Sequence, residues 1–523
     1  MNDRYILILG AGLMQRPSIE AAKELGYKAL VIDANPDAVC VLFADRFEQI
    51  DLKDTDAIVD FALSLGEKLC AVFTAGTDFS APVSLVSQKC GFPAHSFEAA
   101  MMASNKILMR ENFKKNKIPS PDFFEADENY IGLLQENKVS EIHFPKVVKP
   151  VDNMGARGCR LARSKEEFLP ALKEAVGFSR TKKAIVEDFM EGPEFSIDAL
   201  VVNGKVIISG FADRHIFFEP YFVELGHTMP SEISEKQKQE IIKVFTDAVH
   251  SLGLTNGAAK GDVKYTKRGP MIGEIAARLS GGYMSGWTFP YSSGFELTKE
   301  AMKIALGIPS DFSGAAEIPS VKFSHERAFI SIPGKVKKIY GEEKAWASPF
   351  VKNVFFRVKE GCIVDFPRNN VEKCGNVISS SEDCALSKKS AEDSISQIVL
   401  RLQPCNPQTE SFLSGLELPQ EKGFPYSAFD FNAADEKFLA ELSEAPFIEK
   451  NHSVQDCVPK SIEKIIEEKR DWNFRTIKDT LFLFDKISPE HPRLDSKKFW
   501  CCLLRAGIQG ILYYSDSLQL EEK

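Results

Sequence analysis

The chain of 523 residues exceeds the size of one hydrophobic core, so we expect several domains. Apolar residues make up 44% and charged residues 27% of it, which is typical of folded proteins and argues against a largely disordered chain. The formal net charge of −9 argues against sequence-independent binding to nucleic acid or to an anionic membrane, because both require a concentrated basic surface, and it favours small-molecule partners.

The cysteines and the N-terminal residues indicate the cellular compartment in which the protein is expected. Eleven cysteines are scattered without a CxxC pair or a Cys/His cluster at metal spacing, which favours a reducing, cytoplasmic compartment. The start, MNDRYILILGAG, has Asp3 before a short apolar run, which indicates a buried first strand and not a signal peptide. No window reaches the ~18 apolar residues that a membrane span requires.

The first hundred residues alternate short β-rich runs with amphipathic segments. Strands are predicted at 5–9, 29–33 and 70–75, with a helix over about 17–25. This order is typical of a parallel, doubly wound sheet.

A short glycine motif follows the first of these strands. Gly10 and Gly12, with Asp33 closing the second strand, are placed as in a fold that binds NAD, and a dehydrogenase is one alternative for the chain. However, Gln15 occupies the third glycine position, so a tight structural turn is the favoured interpretation.

Beyond residue 105 the pattern changes to strands mixed with helices and hairpins. A polar helix is predicted over 106–117, and Ser164 to Glu167 form a capping box that opens another helix. Further predicted elements are strands at 145–149, 184–189, 195–202, 206–211, 258–265 and 271–276, and a helix from about residue 234. Residues 318–403 indicate a mixed α/β unit, and 404–523 contain no motif that indicates chemistry.

The stretch FPKVVKPVDNMGARG, residues 144–158, ends a strand at Lys149 and continues into a polar loop with Gly155 and Gly158. A lysine at a strand end can direct its ammonium at phosphate oxygens, and the glycines allow close approach of main-chain amides. A phosphate-covering flap and a plain surface hairpin are both compatible with this stretch alone.

Two acids flank a glycine-proline turn in AIVEDFMEGPE. Glu187 and Glu194 lie on either side of Gly192 and Pro193. An adenine needs a flat apolar slot with main-chain donors and acceptors, and its ribose needs a carboxylate, both of which this stretch could supply. Two solvated acids beside a hairpin are the alternative.

The segment GDVKYTKRGPMIGEIAARLSGG predicts the most specific feature. A hairpin across KRGP would bring Asp262 and Glu274 onto facing positions, where a bound cation would relieve their repulsion. Mg²⁺ takes carboxylate oxygens together with substrate phosphates, and Arg278 could hold an oxyanion bidentately. Two acids and an arginine on a solvated sheet face are the alternative.

These motifs, in this order, resemble those of ATP-grasp enzymes of the carboxylate-amine ligase type, which include L-amino-acid ligases and the large subunit of carbamoyl phosphate synthase. The resemblance covers about residues 5–400. It implies an α/β and α+β multidomain protein with four parts: a parallel doubly wound pre-ATP-grasp domain at 1–103, a two-subdomain ATP-grasp fold at 104–317, a small lid-like α/β unit at 318–403, and a C-terminal α/β extension at 404–523.

The resemblance also implies roles for individual residues. Phosphates would be held by Lys106, Lys149 and a flexible loop of Asn153, Met154, Gly155, Ala156, Arg157 and Gly158. Glu187, Asp188, Phe189 and Met190 would line the adenine slot, and Glu194 would hold the ribose. Asp262 and Glu274 would bind one or two magnesium ions, with Mn²⁺ as an alternative ion, and Arg278 would stabilise the acyl phosphate.

A further stretch, FVELGHTMPSE, resembles the substrate-side segment of L-amino-acid ligases. There Glu224 would bind an ammonium and His227 would lie near the reacting carboxylate, although a histidine in an ordinary loop is an equal alternative. The chain departs from the family pattern at Ala276, where an asparagine metal ligand is usual, and at Ala156, where serine is frequent. The first departure leaves the second magnesium ion open.

The expected function is ligation of a carboxylate, activated by ATP as an acyl phosphate, to an amine, with amino acids among the candidate substrates. One alternative is bicarbonate-dependent carboxylation or carbamoyl phosphate synthesis. Another is a nucleotide-binding regulatory protein that has lost catalysis, for which Ala276 is an argument. A homodimer is compatible with the sequence.

Overall fold

The computed structural model describes residues 3–136, 138, 141–312, 322–414, 424–429, 446–463 and 465–521. The chain divides into two compact units: the first comprises residues 1–216 and 226–325, the second residues 217–225 and 326–523. The finer division into four domains stays a prediction, and its boundary at 317/318 lies outside the described residues.

The strands, in chain order, are β1 Tyr5–Leu9, β2 Lys28–Asp33, β3 Arg46–Gln49, β4 Leu69–Phe73, β5 Phe123–Ala126, β6 Lys146–Pro150, β7 Arg160–Ala162, β8 Ala184–Asp188, β9 Glu194–Val202, β10 Lys205–Phe217, β11 Val223–Met229, β12 Gly257–Thr266, β13 Gly269–Ala276, β14 Phe323–Phe329, β15 Gly334–Tyr340, β16 Val351–Phe356, β17 Ile363–Val364, β18 Gly375–Ser381, β19 Val399–Leu402, β20 Phe447–Ile448 and β21 Leu494–Asp495. The helices are α1 Arg16–Glu24, α2 Thr55–Ser64, α3 Ser80–Cys90, α4 Phe97–Ser104, α5 Lys106–Asn116, α6 Glu128–Gln135, α7 Lys165–Phe178, α8 Glu235–Ser251, α9 Phe289–Ser293, α10 Leu297–Leu306, α11 Glu342–Ala347, α12 Cys384–Gln397, α13 Pro407–Ser414, α14 Lys460–Glu463, α15 Ile477–Ile487 and α16 Ser496–Glu521.

The first unit begins with a parallel sheet in the order β3-β2-β1-β4. Alternate residues of β1 enter different cores: Ile6 and Ile8 lie in one, and Leu7 and Leu9 in the other. A strand is apolar throughout when helices cover both faces of its sheet. The predicted doubly wound sheet is therefore confirmed.

The glycine turn after β1 is held by Asp33. One carboxylate oxygen of Asp33 accepts from the amide of Ala11 at 2.8 Å, and the other accepts from the amide of Asn35 at 2.9 Å. Because both oxygens serve local turns, the structure supports the interpretation of this motif as a structural turn.

A second sheet of the first unit has the order β5-β8-β6-β7. Strands β6 and β7 pair antiparallel, so residues 151–159 connect the two strands of a hairpin. The hydroxyl of Ser164 accepts from the amide of Glu167 and caps α7, as predicted. The carboxylate of Glu167, however, accepts from the amide of Arg163, one residue before the position that a capping box requires.

The third sheet of the first unit includes antiparallel strands in the order β13-β12-β9-β10, and the two faces of β9 differ. Phe195, Ile197 and Ala199 lie in a core with apolar side chains of α8. Glu194 and Ser196 alternate with them along the strand and therefore project to the opposite face. The opposite face of β9 is polar at Glu194 and Ser196 and joins the core of the N-terminal sheet further along, at Leu200.

A β-bulge sets the register between β12 and β13. Val263 pairs with Ile272, but the preceding residue, Asp262, pairs with Glu274, so Gly273 is the extra residue of β13. Residues 272 and 274 would share a face in a regular strand, and Ile272 lies in the core. The extra residue therefore turns Glu274 onto the polar face beside Asp262.

The second unit contains an antiparallel sheet in the order β17-β15-β19 and an antiparallel pair, β16 and β18. Its C-terminal part has its own core, which contains the fully buried Trp500. Gly507 interrupts α16 at φ 56° and ψ −143°, and a Cβ there would lie 2.9 Å from a carboxylate oxygen of Asp471. Among the described helices, none is long and apolar enough to cross a membrane.

A buried histidine connects α4's entry loop with β12. The Nε2 atom of His95 lies 2.9 Å from the carbonyl oxygen of Ala258, and its Nδ1 accepts from the amide of Thr255 at 3.1 Å. These bonds require the neutral ring with its proton on Nε2. Burial lowers the pKa of His95 from 6.5 to about 4.

Because the folded-state pKa is depressed, the unfolded chain takes up the proton first as the pH falls. We expect full stability above about pH 6.5, with about 2 kcal/mol of the unfolding free energy of this unit lost between pH 7 and pH 5. Urea denaturation of His95→Gln should show lower stability at pH 7 but a smaller loss at pH 5. The same substitution at the exposed His250 is the control, and an unchanged pH dependence in His95→Gln would contradict the assignment.

Candidate active site

The two predicted phosphate lysines lie in the first unit and are each held by an acid. The Nζ atom of Lys106, at the start of α5, donates to Glu274 and to the carbonyl oxygen of Asn153, both at 3.0 Å. The Nζ atom of Lys149, on β6, lies 2.7 Å from a carboxylate oxygen of Glu187. Burial alone would lower the pKa of each lysine, but the neighbouring carboxylates outweigh it and raise both pKa values. Both therefore carry their charge at neutral pH.

The glycine loop that joins β6 to β7 has an anchored base. The side chain of Asn153 donates to the carbonyl oxygen of Phe178, and Asp152 accepts from residues 179–181. Gly155, Ala156 and Gly158 all have positive φ values, near 60–70°. A Cβ at Gly158 would come within 3.0 Å of Phe178 and Pro150, so this glycine permits the loop to close on its base.

Glu187 is fully enclosed by two cations. Its side chain is 2% exposed, and its second oxygen accepts from Nε of Arg110 at 2.6 Å. Burial would raise the pKa of Glu187, but Arg110 and Lys149 outweigh it and lower the pKa. The carboxylate therefore faces Lys149, and the predicted role of residues 187–190 in lining an adenine slot stays a prediction.

The other residues of the predicted adenine slot follow at the end of β8. Asp188 projects to the opposite face of the strand, where it pairs with Lys146. The ring of Phe189 lies 5.1 Å from Nζ of Lys264, which also donates to the carbonyl oxygen of Met190 at 3.2 Å. A Cβ at the next glycine, Gly192, would overlap the carbonyl oxygen of Tyr265 at 2.2 Å, so the turn packs directly against β12.

Glu194, the predicted ribose acid, lies between two basic side chains. It forms an ion pair with Arg214 on β10, and its other oxygen lies 3.5 Å from Nζ of Lys264 on β12. Both partners are its direct neighbours in strand register. The carboxylate is thus fixed by the sheet.

The two predicted metal acids lie opposite each other across β12 and β13. Asp262 accepts from Ser196 at 3.1 Å, lies 3.0 Å from Arg214 and pairs with Lys260. Burial would raise the pKa of Glu274, but Lys106 and Lys260 outweigh it and lower the pKa strongly. No group of three or more His, Cys, Asp or Glu side chains at metal-binding distance occurs among the described residues.

Arg278 is held beside the N-terminal sheet. One of its Nη atoms donates to the carbonyl oxygen of Leu279 at 2.9 Å, and its Nε lies 3.7 Å from a carboxylate oxygen of Asp78. Asp78 also helps to raise the pKa of Lys106, and Arg278 helps to lower that of Glu274. The charges of Arg278 and of its partner Asp78 therefore act on Glu274 and Lys106 respectively.

Glu224 and His227 lie on strand β11 and are buried, so the alternative of an ordinary loop is wrong for His227. Glu224 belongs to the second unit and His227 to the first. Within the second unit, the main chain of Glu224 is clamped: its amide donates to Asn370 at 2.8 Å, and its carbonyl oxygen accepts from Lys373 at 2.8 Å.

Seven basic side chains of the first unit form ion pairs with five acids, four of which are predicted site residues. The bases are Lys106, Arg110, Lys149, Arg214, Lys260, Lys264 and Arg278, and the acids are Asp78, Glu187, Glu194, Asp262 and Glu274. This set carries a formal excess of two positive charges. A polyanion is therefore the ligand that it favours electrostatically.

Several of these residues were not predicted from the sequence. Lys260 and Lys264 stand two residues either side of Asp262, and the period of two along a strand places all three on one face. Arg110 follows Lys106 by four residues on α5, which is the spacing of one helical face. Asp78 and Arg214 have no local sequence signal, because they reach the site through tertiary folding.

Comparisons with known proteins agree with this geometry. The sequence matches the family described as ATP-grasp domain over residues 142–286 and the family described as L-amino acid ligase C-terminal domain 2 over residues 328–403. An uncharacterized protein of Sinorhizobium fredii, y4rH, is 24% identical over 408 residues, which are 76% of this chain and 82% of that protein. Human carnosine synthase 1 is 22% identical over 59% of this chain, and the match spans 40% of the human protein.

Two solved structures share the fold. An L-amino acid ligase from Bacillus licheniformis aligns over 77% of this chain and all of its own, with 21% identity and a TM-score of 0.66. The biotin carboxylase domain of 2-oxoglutarate carboxylase from Hydrogenobacter thermophilus, crystallised with MgADP, ADP and bicarbonate, aligns over 76% of this chain and 91% of its own, with 19% identity and a TM-score of 0.59. Residues 142–286 thus match an ATP-grasp domain, and the chain resembles carboxylate-amine ligases, the L-amino-acid ligases among them.

Proposed function

We propose that the protein is an ATP-dependent ligase that activates a carboxylate as an acyl phosphate and joins it to an amine. The observation that carries the proposal is the facing pair of Asp262 and Glu274 within a cluster of seven basic side chains. Paired carboxylates suit a divalent cation, and surplus positive charge suits a triphosphate. ATP with magnesium supplies both.

In this proposal the nucleotide lies along the polar face of the third sheet. Lys106, Lys149 and the glycine loop hold its phosphates, the main chain of residues 187–190 contacts the adenine, and Glu194 holds the ribose. The ion pairs of Lys106 and Lys149 support this assignment, because they keep both ammonium groups charged and in place before a nucleotide arrives. Pre-organised charges cost little reorganisation during the reaction.

Asp262 and Glu274 would hold one or two magnesium ions, and the residues present fit this role. Two carboxylates leave coordination positions for phosphate oxygens and water, which is how magnesium is usually bound beside a nucleotide. Bound magnesium would neutralise negative charge on the phosphates. Ala276 supplies no oxygen, so a second ion would depend on water at that position.

The chain's own side chains would then favour the two chemical steps. Attack of the carboxylate on the γ-phosphate of ATP yields the acyl phosphate and ADP, and attack of the amine on the acyl carbon releases phosphate. Lys106 and Lys149 offset negative charge on the transferring phosphoryl group. Arg278, held by Leu279 and Asp78, presents its guanidinium to the acyl phosphate, and closure of the glycine loop excludes water from it.

The amine substrate is proposed to be an amino acid. The match to an L-amino acid ligase C-terminal domain and the similarity to carnosine synthase 1 support this choice. His227 of the first unit would lie near the reacting carboxylate, and the ammonium-binding role of Glu224, whose main chain is fixed by Asn370 and Lys373 within the second unit, stays a separate prediction. All eleven cysteines are free thiols, which supports a reducing compartment such as the cytoplasm.

Bicarbonate-dependent carboxylation is the second candidate, since the fold is shared with a biotin carboxylase domain. The decisive experiment measures ADP release with a grid of amino acids, dicarboxylates and bicarbonate, followed by mass spectrometry of the products. ADP release that requires both a carboxylate and an amine, with a product mass equal to their sum less water, is expected. Bicarbonate-dependent ADP release without an amine would favour carboxylation instead.

A matched pair of lysines on β6 tests the phosphate role. Lys149→Met should lower turnover by about 10²–10³-fold, because a positive charge at the transferring phosphate is lost. Lys146→Met, on the same strand but paired with the half-exposed Asp188, should retain activity within about threefold. ADP release by folded variants is the measurement. Equal effects of the two substitutions would contradict the assignment.

Magnesium titrations test the metal role of Glu274. Glu274→Gln keeps the size of the side chain but removes its charge, so the magnesium concentration for half-maximal ADP release should rise by about tenfold or more. Asp247→Asn, at an exposed acid of α8 that pairs with Lys243, is the control. An unchanged magnesium requirement in Glu274→Gln would count against a metal at this position.

A further inference from the structure

Arg110 joins two parts of the site that are distant in sequence. Its side chain is 2% exposed, and it lies one helical turn after Lys106 on α5. Its Nε donates to Oε1 of Glu187 on β8 at 2.6 Å, and one Nη donates to the carbonyl oxygen of Gly273 on β13 at 2.6 Å. One guanidinium thus contacts both the acid beside the phosphate lysine and the bulge that orients Glu274.

The contact with Gly273 uses an acceptor that the bulge exposes. A bulged residue disturbs the ladder of its strand, and the partly buried carbonyl of Gly273 takes its donor from elsewhere. A Cβ at Gly273 would lie 3.1 Å from the carbonyl oxygen of Asp262, so the neighbouring strand leaves little space there. Arg110 supplies the donor from the side of the helix.

The contact with Glu187 determines how Lys149 can act. Glu187 has one cation on each oxygen, Arg110 on Oε1 and Lys149 on Oε2. If Lys149 were the sole partner, its charge would be cancelled, and moving it towards a phosphate would leave a buried carboxylate uncompensated. Such a carboxylate is strongly unfavourable in a protein interior. With Arg110 in place, Glu187 stays compensated whether or not Lys149 turns to a ligand.

We propose that Arg110 is a positioning residue that neutralises Glu187 and so makes the charge of Lys149 available to the triphosphate of the nucleotide. This inference rests on the proposed function. The remaining Nη of Arg110 is buried without a hydrogen-bond partner among the described residues, which is a costly arrangement. It is consistent with a side chain retained for its charge and not only for its hydrogen bonds.

A purely structural role for Arg110 makes a different prediction. If Arg110 only tied α5 to β8 and β13, its loss would disturb adenine and phosphate binding alike. If it acts on the charge of Lys149, its loss affects the phosphates and leaves the nucleoside unaffected. Comparing ATP with adenosine therefore separates the two roles.

The test uses the full chain with magnesium and measures dissociation constants by competition against a fluorescent ADP analogue. Arg110→Met should weaken ATP binding by about tenfold or more, because Glu187 then captures Lys149, and should change adenosine binding by less than about threefold. Arg110→Lys, which keeps the charge, should retain most of the ATP affinity. Equal losses for ATP and adenosine, or no benefit from the lysine variant, would overturn the proposal.

A double substitution keeps the test decisive if Arg110→Met is poorly folded. In Arg110→Met/Glu187→Gln the buried carboxylate is absent, so ATP affinity should recover to within about threefold of that of Glu187→Gln alone. A double variant that binds ATP more than about tenfold more weakly than Glu187→Gln alone would refute the role of Arg110. A wild-type protein that binds neither ATP nor adenosine would overturn the proposed function itself, and this inference with it.

Discussion

The site depends on one extra residue in a β-hairpin. Regular alternation would place Glu274 on the same face as Ile272, which lies in the core, and would bury a carboxylate among apolar side chains. The bulge at Gly273 moves Glu274 onto the face that carries Asp262 and leaves Ile275 in the core. Two carboxylates can therefore face each other while the strand still contributes apolar residues to the packing against α8.

The two faces of this sheet differ: one packs against a helix, and the other carries the charged residues of the candidate site. Its inner face buries apolar side chains against a helix, which provides the hydrophobic stabilisation of this region. Its outer face concentrates charges that would be unfavourable if they were unpaired, and each named acid there has at least one basic partner. The ion pairs hold these polar groups in place.

Local patterns were sufficient to predict most elements of the first unit and the approach of Asp262 to Glu274. The hairpin itself followed from two β-rich runs around a KRGP turn. Counting outward from that turn without a bulge, however, would pair Asp262 with Gly273, one residue away from the observed partner. The prediction that Asp262 and Glu274 face each other was right. It did not include the bulge that brings them together, because a bulge depends on which face of the sheet each side chain must occupy.

The residues that sequence analysis missed share a physical cause. A lysine or arginine on a helix or strand is solvated in most proteins, so Arg110 and Arg214 carry no local sign that they are enclosed. Their role arises only when other strands bring acids towards them, as Glu187 is brought to Arg110 and Asp262 to Arg214. For Arg110 the spacing of four residues from Lys106 does indicate a shared face, but only the folded chain shows that this face is enclosed. Arg110 reaches Glu187, the partner of Lys149, only in the folded and enclosed site. Its proposed effect on Lys149 is therefore found from coordinates and not from a sequence motif.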